Sequence, residues 1–186
     1  MIIGVILVVV AVVVVFYLIM TYNRFINLRN GIESALKQIN VALKKRLDLI
    51  GQVVDSVKGE MKFEKSTLAE ITRMRSAAVA DMPADKARQI DHKTNSILSG
   101  LKVQLEAYPD LKSHGNVAQL INTMNSVEDE IGRLRYTLNN TVQEYNTKGQ
   151  MFPSNLIAGM FGFNKEKYLE FGEGDELKTR PKIELQ

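Results

Sequence analysis

The sequence predicts an all-α protein in which an N-terminal transmembrane helix continues into an up-and-down four-helix bundle. Three observations predict it. Ile2 to Met20 form an apolar stretch with no charged side chain. Apolar residues recur in steps of three and four along most of the remaining chain, and no period-two alternation marks a strand.

The anchor comes first. The apolar run is ~19 residues long, which at ~1.5 Å per residue spans ~28 Å, close to the hydrocarbon thickness of a bilayer. Seven valines crowd Val8 to Val15, a composition that favours sheets in water. Lipid overrides that preference, because a helix satisfies its own backbone amides and carbonyls and a lone strand does not. No Lys or Arg precedes the run and no small-x-small site lies near Thr21 and Tyr22, so cleavage as a secretory signal is not expected. Tyr17 and Tyr22 are expected near the headgroups, where amphipathic rings are favoured. Arg24 and Arg29, then Lys37, Lys44, Lys45 and Arg46, follow the span, with Glu33 the one acid before Asp48. The positive-inside bias therefore predicts a cell-membrane, single-pass protein with its N-terminus outside and its C-terminal domain cytoplasmic. The absence of cysteine agrees with that compartment without deciding it.

About 165 residues remain, enough for one domain with a core. Its prolines, Pro83, Pro109, Pro153 and Pro181, punctuate long stretches without other strong breakers. The first stretch carries Phe25, Leu28, Ile32, Leu36, Ile39, Leu43, Leu47, Ile50, Val54 and Val57 on one helix face, ending near Gly59. A shorter second, from about Glu64 to Ala80, carries Leu68, Ile71, Met74 and Ala78. The third runs from about Ala84 through Ile90, Thr94, Ile97, Leu101 and Leu105 to Tyr108, and Pro109 closes it. The fourth follows Gly115 with Val117, Leu120, Met124, Val127, Ile131, Leu134, Leu138, Val142 and Tyr145.

Short connections make these helices antiparallel neighbours. At the standard rise the first and fourth are each ~55 Å long, the second ~27 Å and the third ~37 Å. Only the first and fourth are expected to return to the membrane. There the stripe around Phe25, Leu28, Ile32 and Leu36 meets that around Leu134, Leu138, Val142 and Tyr145 with too few neighbours to cover both.

A candidate cover follows in the chain. Met151, Phe152, Leu156, Ile157, Met160, Phe161 and Phe163 crowd a stretch with no charge before Lys165. Three outcomes stay open for it: folding back on the two-helix stalk, inserting into the membrane surface, or burial against another subunit. From Asn164 the chain becomes charged, and Gly172 to Gln186 reads as a flexible tail. The organisation is thus an anchor over 1–21, the bundle over 22–150, an apolar membrane-proximal segment over 151–163 and a charged tail over 164–186.

Tyr22-Asn23-Arg24, Leu28-Arg29-Asn30, Gln38-Ile39, Leu43-Lys44-Lys45-Arg46 with Asp48-Leu49-Ile50, and Val57-Lys58-Gly59 recur in a known order. Tyr108-Pro109-Asp110-Leu111-Lys112, Glu144-Tyr145-Asn146 and Phe152-Pro153-x-Asn155-Leu156 ending in Phe161-Gly162-Phe163 complete it. Together they resemble the LemA family, from the anchor to about Phe163. The resemblance implies a membrane-tethered four-helix bundle and brings no established catalytic residues. Related domains in magnetosome membrane proteins, and family genes near membrane peptidases, imply membrane organisation or quality control by association. Gly51-Gln52 stands where many relatives have Pro-Asn, so the first helix is expected to run straighter here.

The chemistry-bearing residues point to no reaction. His92 and His114 lack a second ligand type at metal-binding spacing, and His114 beside Gly115 reads as a turn residue. No Gly-rich loop precedes Lys-Ser or Lys-Thr. Glu128, Asp129 and Glu130 read as a solvated helix surface, since consecutive positions point in different directions. Lys44, Lys45 and Arg46 lie ~30 Å above the membrane by the helix rise, several Debye lengths from lipid. Arg24 and Arg29 are the expected lipid contacts. No interleaved aromatic and basic pattern suits nucleic acid, and Asn139-Asn140-Thr141 reads as a chance glycosylation match within a helix.

No cofactor, metal, small-molecule substrate or nucleic acid is therefore expected. The expected partners are the lipid bilayer, further copies of the chain and a membrane protein. The leading expectation is a non-enzymatic scaffold whose copies associate through the stalk and Phe152, Leu156, Ile157, Met160, Phe161 and Phe163. The alternative is an adaptor presenting its far tip or tail to a membrane enzyme such as a peptidase. A hydrolase ranks third, because no nucleophile, base and stabiliser converge.

Overall fold

The computed structural model describes residues 1–113 and 115–169. Its elements are α1 (Ile2–Val57), α2 (Lys65–Ala77), α3 (Ala84–Glu106), α4 (Pro109–Ser113), α5 (Gly115–Gln150) and α6 (Ser154–Phe161). Among the described residues there is no strand. His114 and the tail from Gly172 to Gln186, singled out from the sequence, lie outside the described residues.

The four predicted stripes fall on α1, α2, α3 and α5. α1 stops at Val57, two residues short of Gly59, because the amides of Glu60 and Met61 both turn back to the Val57 carbonyl at 3.0 and 2.9 Å. α2 ends at Ala77 instead of Ala80, for a tertiary reason. Asn40 Nδ2 on α1 donates to the carbonyls of Ala80 and Met82, both at 2.9 Å, which holds that stretch as a connection. Pro109 does more than close α3. It starts α4, at the helical position where a missing amide costs nothing, and buried Leu111 gives this short turn of helix a reason to form. α1 runs unbroken through Gly51, where a β-carbon would meet the Arg75 guanidinium at 3.2 Å.

The chain divides into two compact units, to both of which α1 and α5 contribute. The first comprises Met1–Ala35 and Thr137–Tyr168. Its N-terminal helix is long and apolar enough to cross a membrane, and none of that apolar window is buried. This is a candidate membrane anchor. Beyond it, Phe25, Leu28, Tyr145 and Ala158 form a buried cluster with Ile32 and Phe163 against it.

The second unit comprises Leu36–Tyr136 with Leu169. α1 supplies Ile39, Leu43, Leu47, Ile50, Val53 and Val57 to its core, α2 Ile71 and Met74, α3 Ile90, Leu98, Leu101 and Leu105, and α5 Val117, Met124, Val127 and Ile131. Ion pairs tie neighbouring helices at the surface: Arg75 to Asp48 at 2.8 Å, and Lys93 to Glu70 at 2.9 Å.

Candidate functional site

Two carbonyls at and just past the end of α5, and the chain reversal after it, decide where the apolar segment goes. A helix C-terminus leaves carbonyls without partners, and here the Ser154 hydroxyl sits 2.6 Å from the Lys148 carbonyl and 2.9 Å from that of Met151. The Asn155 amide adds a 2.8 Å bond to Met151. α6 begins there. It ends at Gly162, whose φ of +71° is left-handed and suits only a residue without a β-carbon. The amide of Phe163 then bonds the Ala158 carbonyl at 2.9 Å.

This turn lays the Phe163 ring on Phe25, with centroids 4.7 Å apart and planes within 14°. Tyr145 meets Phe25 edge-on at 5.7 Å, and Tyr22 meets Phe161 at 4.9 Å and Phe163 at 5.6 Å. Burial, and then the negative charge of Glu166, push the Tyr145 phenol up; Arg29 opposes them. Just beyond, Asn146 pairs through its side-chain amide with the backbone of Glu166 at 2.9 Å in both directions. The first residues after Asn164, read as the start of a tail, are therefore held in place.

The apolar segment is thus split by face. Ser154, Ile157 and Ala158, at helical spacing, are buried, and Ala158 packs with Phe25, Leu28 and Tyr145 of the stripe that the sequence left open. Phe152, Leu156, Met160 and Phe161 are 80, 60, 74 and 51% exposed. Tyr17 is exposed. Tyr22, expected among the headgroups, is engaged by the two phenylalanine rings. Arg24, expected at lipid, pairs with Glu144 while half its side chain stays open, and Arg29 is exposed.

A second constellation lies in the other unit. Arg46 is fully buried, with Nη1 donating to Glu128 at 2.8 and 3.0 Å and to Asn95 at 3.0 Å. Its Nη2 donates to Asp91 Oδ1 at 2.8 Å. Arg135 donates to the same Asp91 oxygen at 2.6 Å, so two guanidinium groups and two carboxylates balance. Burial pushes the Arg135 guanidinium below its ordinary range; Asp91 opposes that and Arg46 reinforces it. One expectation is corrected here: Glu128, read as part of a solvated helix surface, is the partner of Arg46, which is internal. Among the described residues no cluster of three His, Cys, Asp or Glu could hold a metal ion.

The LemA family model matches residues 35–185. The chain belongs to the LemA family. A protein LemA from Metamycoplasma hominis is 31% identical over 138 residues, covering 73% of this chain and 63% of that relative. The chain thus spans less than two thirds of the relative's length. The LemA match starts beyond the anchor and takes in the residues from Asn164 onward, whereas the quoted motifs run from Tyr22 to Phe163.

Sequence reading of this LemA-family chain missed the buried charges, yet a signal existed. Arg46 falls between Leu43 and Ile50 at steps of three and four, and Asp91 falls between Ala87 and Thr94 in the same way. Charged residues in core register are the signature of an internal ion network.

Proposed function

We propose that this LemA-family protein is a non-enzymatic scaffold, held by a single span at the cytoplasmic face of the cell membrane. Its soluble helices pack as an up-and-down four-helix bundle, and copies gather laterally in the membrane plane. One observation carries the reading: α1 alone supplies both the exposed apolar span and a major part of the core of the second unit. A helix shared in this way couples a folded body directly to the bilayer, with no intervening linker. The side chains described chemically serve packing and charge balance, which suits a structural role. The stripe around Phe25 is already covered by α6, so association must use other surface. Counting photobleaching steps of fluorescently tagged full-length protein in lipid nanodiscs and native membrane patches tests this. Clusters are expected, and a uniform single step would overturn the scaffold.

An adaptor reading has its own support in α4, where Leu111 anchors the turn while Tyr108 beside it is exposed. Exposed residues on a loop held by helices are common contact points. Crosslinking from Tyr108 should then recover a distinct membrane protein, and recovery of only further copies of the chain would dismiss it.

A further inference from the structure

The outer face of α6 needs an occupant. We infer that α6 is an interfacial helix whose exposed residues Leu156, Met160 and Phe161, together with Phe152 in the turn just before it, lie in the lipid headgroup boundary beside the span.

Composition gives the first reason. A helix that is apolar all round is normally enclosed on every side, and α6 carries no charge anywhere, with only its Ser154, Ile157 and Ala158 face buried. Leu156 and Met160, four residues apart, lie along one side of it.

Depth gives the second. Phe161 touches the ring of Tyr22 at 4.9 Å, and Tyr22 stands two residues beyond Met20, where the uncharged span ends. At the helix rise that is ~3 Å past the end of the run, the level at which an amphipathic surface helix seats its apolar face.

Charge separates lipid from a second copy. The uncharged stretch is bracketed by Lys148 on one side and, on the other, by exposed Lys165 and Lys167 with Glu166 between them, a net positive charge at each end. Two copies joined face to face through α6 would bring these lysines together. Lipid phosphates would neutralise them, while their aliphatic stems lie along the apolar boundary.

The chain has no cysteine, which makes the experiment clean. Full-length M160C, L156C and, as a reference on an exposed site of α3, V103C carry an environment-sensitive fluorophore in phosphatidylcholine and phosphatidylglycerol vesicles. Some vesicles contain a lipid with a nitroxide near the top of its acyl chain. Several-fold quenching by that lipid is expected at positions 156 and 160, with none at 103. Leu156→Glu in the M160C background should reverse it, and exposed positions make misfolding no explanation. Overturning results are an unquenched, water-like signal at 160, or a dry signal that depends on protein density and not on the nitroxide, which would assign the face to a second copy. Photobleaching counts on the same vesicles report association separately, so single-step bleaching with intact quenching would sink the scaffold and leave the lipid contact standing.

Discussion

Arg46 sits in a register that belongs to the core, with buried Leu43 and Ile50 on either side of it, and its charge is tolerated only because Asp91 and Glu128 meet it there. Exchanging a buried ion pair for apolar residues is often nearly neutral, whereas removing one member strands the rest. Asp91→Leu should therefore lower the unfolding free energy by about 3–5 kcal/mol, because Arg46 and Arg135 would face Glu128 alone. Adding Arg46→Met should recover most of that loss, since Arg135 and Glu128 remain balanced. Denaturant titration of the full chain in detergent checks both, and equal losses in the single and double variants would show that charge balance is not what holds the site. Glu70 gives a pH-dependent counterpart. Hydrogen bonds from Arg73 and then Lys93 hold its carboxyl at about 2, against an ordinary 4.5. The folded value is depressed, so in this window the unfolded chain binds more protons and stability drops as the pH is lowered. Its contribution is complete above 4.5 and is lost as pH falls towards about 2. Glu70→Gln should thus be modestly less stable than the parent near neutral pH, with the gap closing in that acidic window. Parallel midpoint curves for the two proteins would dismiss the effect. Neither network was legible as a network in the sequence, because a run of 3.6-period spacing says which residues face inward but not which charged residues meet across helices.

At the scale of elements, period and breakers fixed the four long helices to within about three residues, while the two short ones needed tertiary information. α4 exists because Leu111 finds a buried place, and α6 because Ser154 caps α5 and Phe163 stacks on Phe25. In α6 the apolar character was plain from composition, but the split into covered and open faces required knowing what it packs against. The pairing of α1 with α5 in the first unit was legible from their stripes, but not how closely the two helices approach. Gly31 allows the close approach: a β-carbon there would meet the Thr141 methyl at 3.3 Å. Alanine in a helix is favoured over glycine by about 0.8–1 kcal/mol, so two effects oppose each other in Gly31→Ala. Removing the methyl separates them, because Thr141→Ser keeps the hydroxyl that bonds the Thr137 carbonyl. Gly31→Ala should stabilise the Thr141→Ser protein by about 0.5–1 kcal/mol and the parent by clearly less. Thermal unfolding of the four proteins measures this, and an identical gain in both backgrounds would mean that the methyl contact carries no cost.

For the molecule as a whole, the proposed function rests on which side of the membrane the helical body occupies. The folded protein engages several of the relevant cations, since Arg24 pairs with Glu144 and Arg46 is internal. The proposed orientation would nonetheless be set while the span inserts, before those partners exist, so Arg24, Arg29 and Lys37 would all count towards retaining the following segment inside. A membrane-impermeant thiol reagent should therefore leave V103C unlabelled in intact cells and label it after permeabilisation, against a cysteine-free parent that gives no background. Arg24→Gln with Arg29→Gln removes two of the three nearest charges and should raise the labelled fraction in intact cells. A V103C protein already labelled in intact cells would place the body on the outer face, and both the cytoplasmic scaffold and the headgroup contact of α6 would then have to be rebuilt on the opposite leaflet.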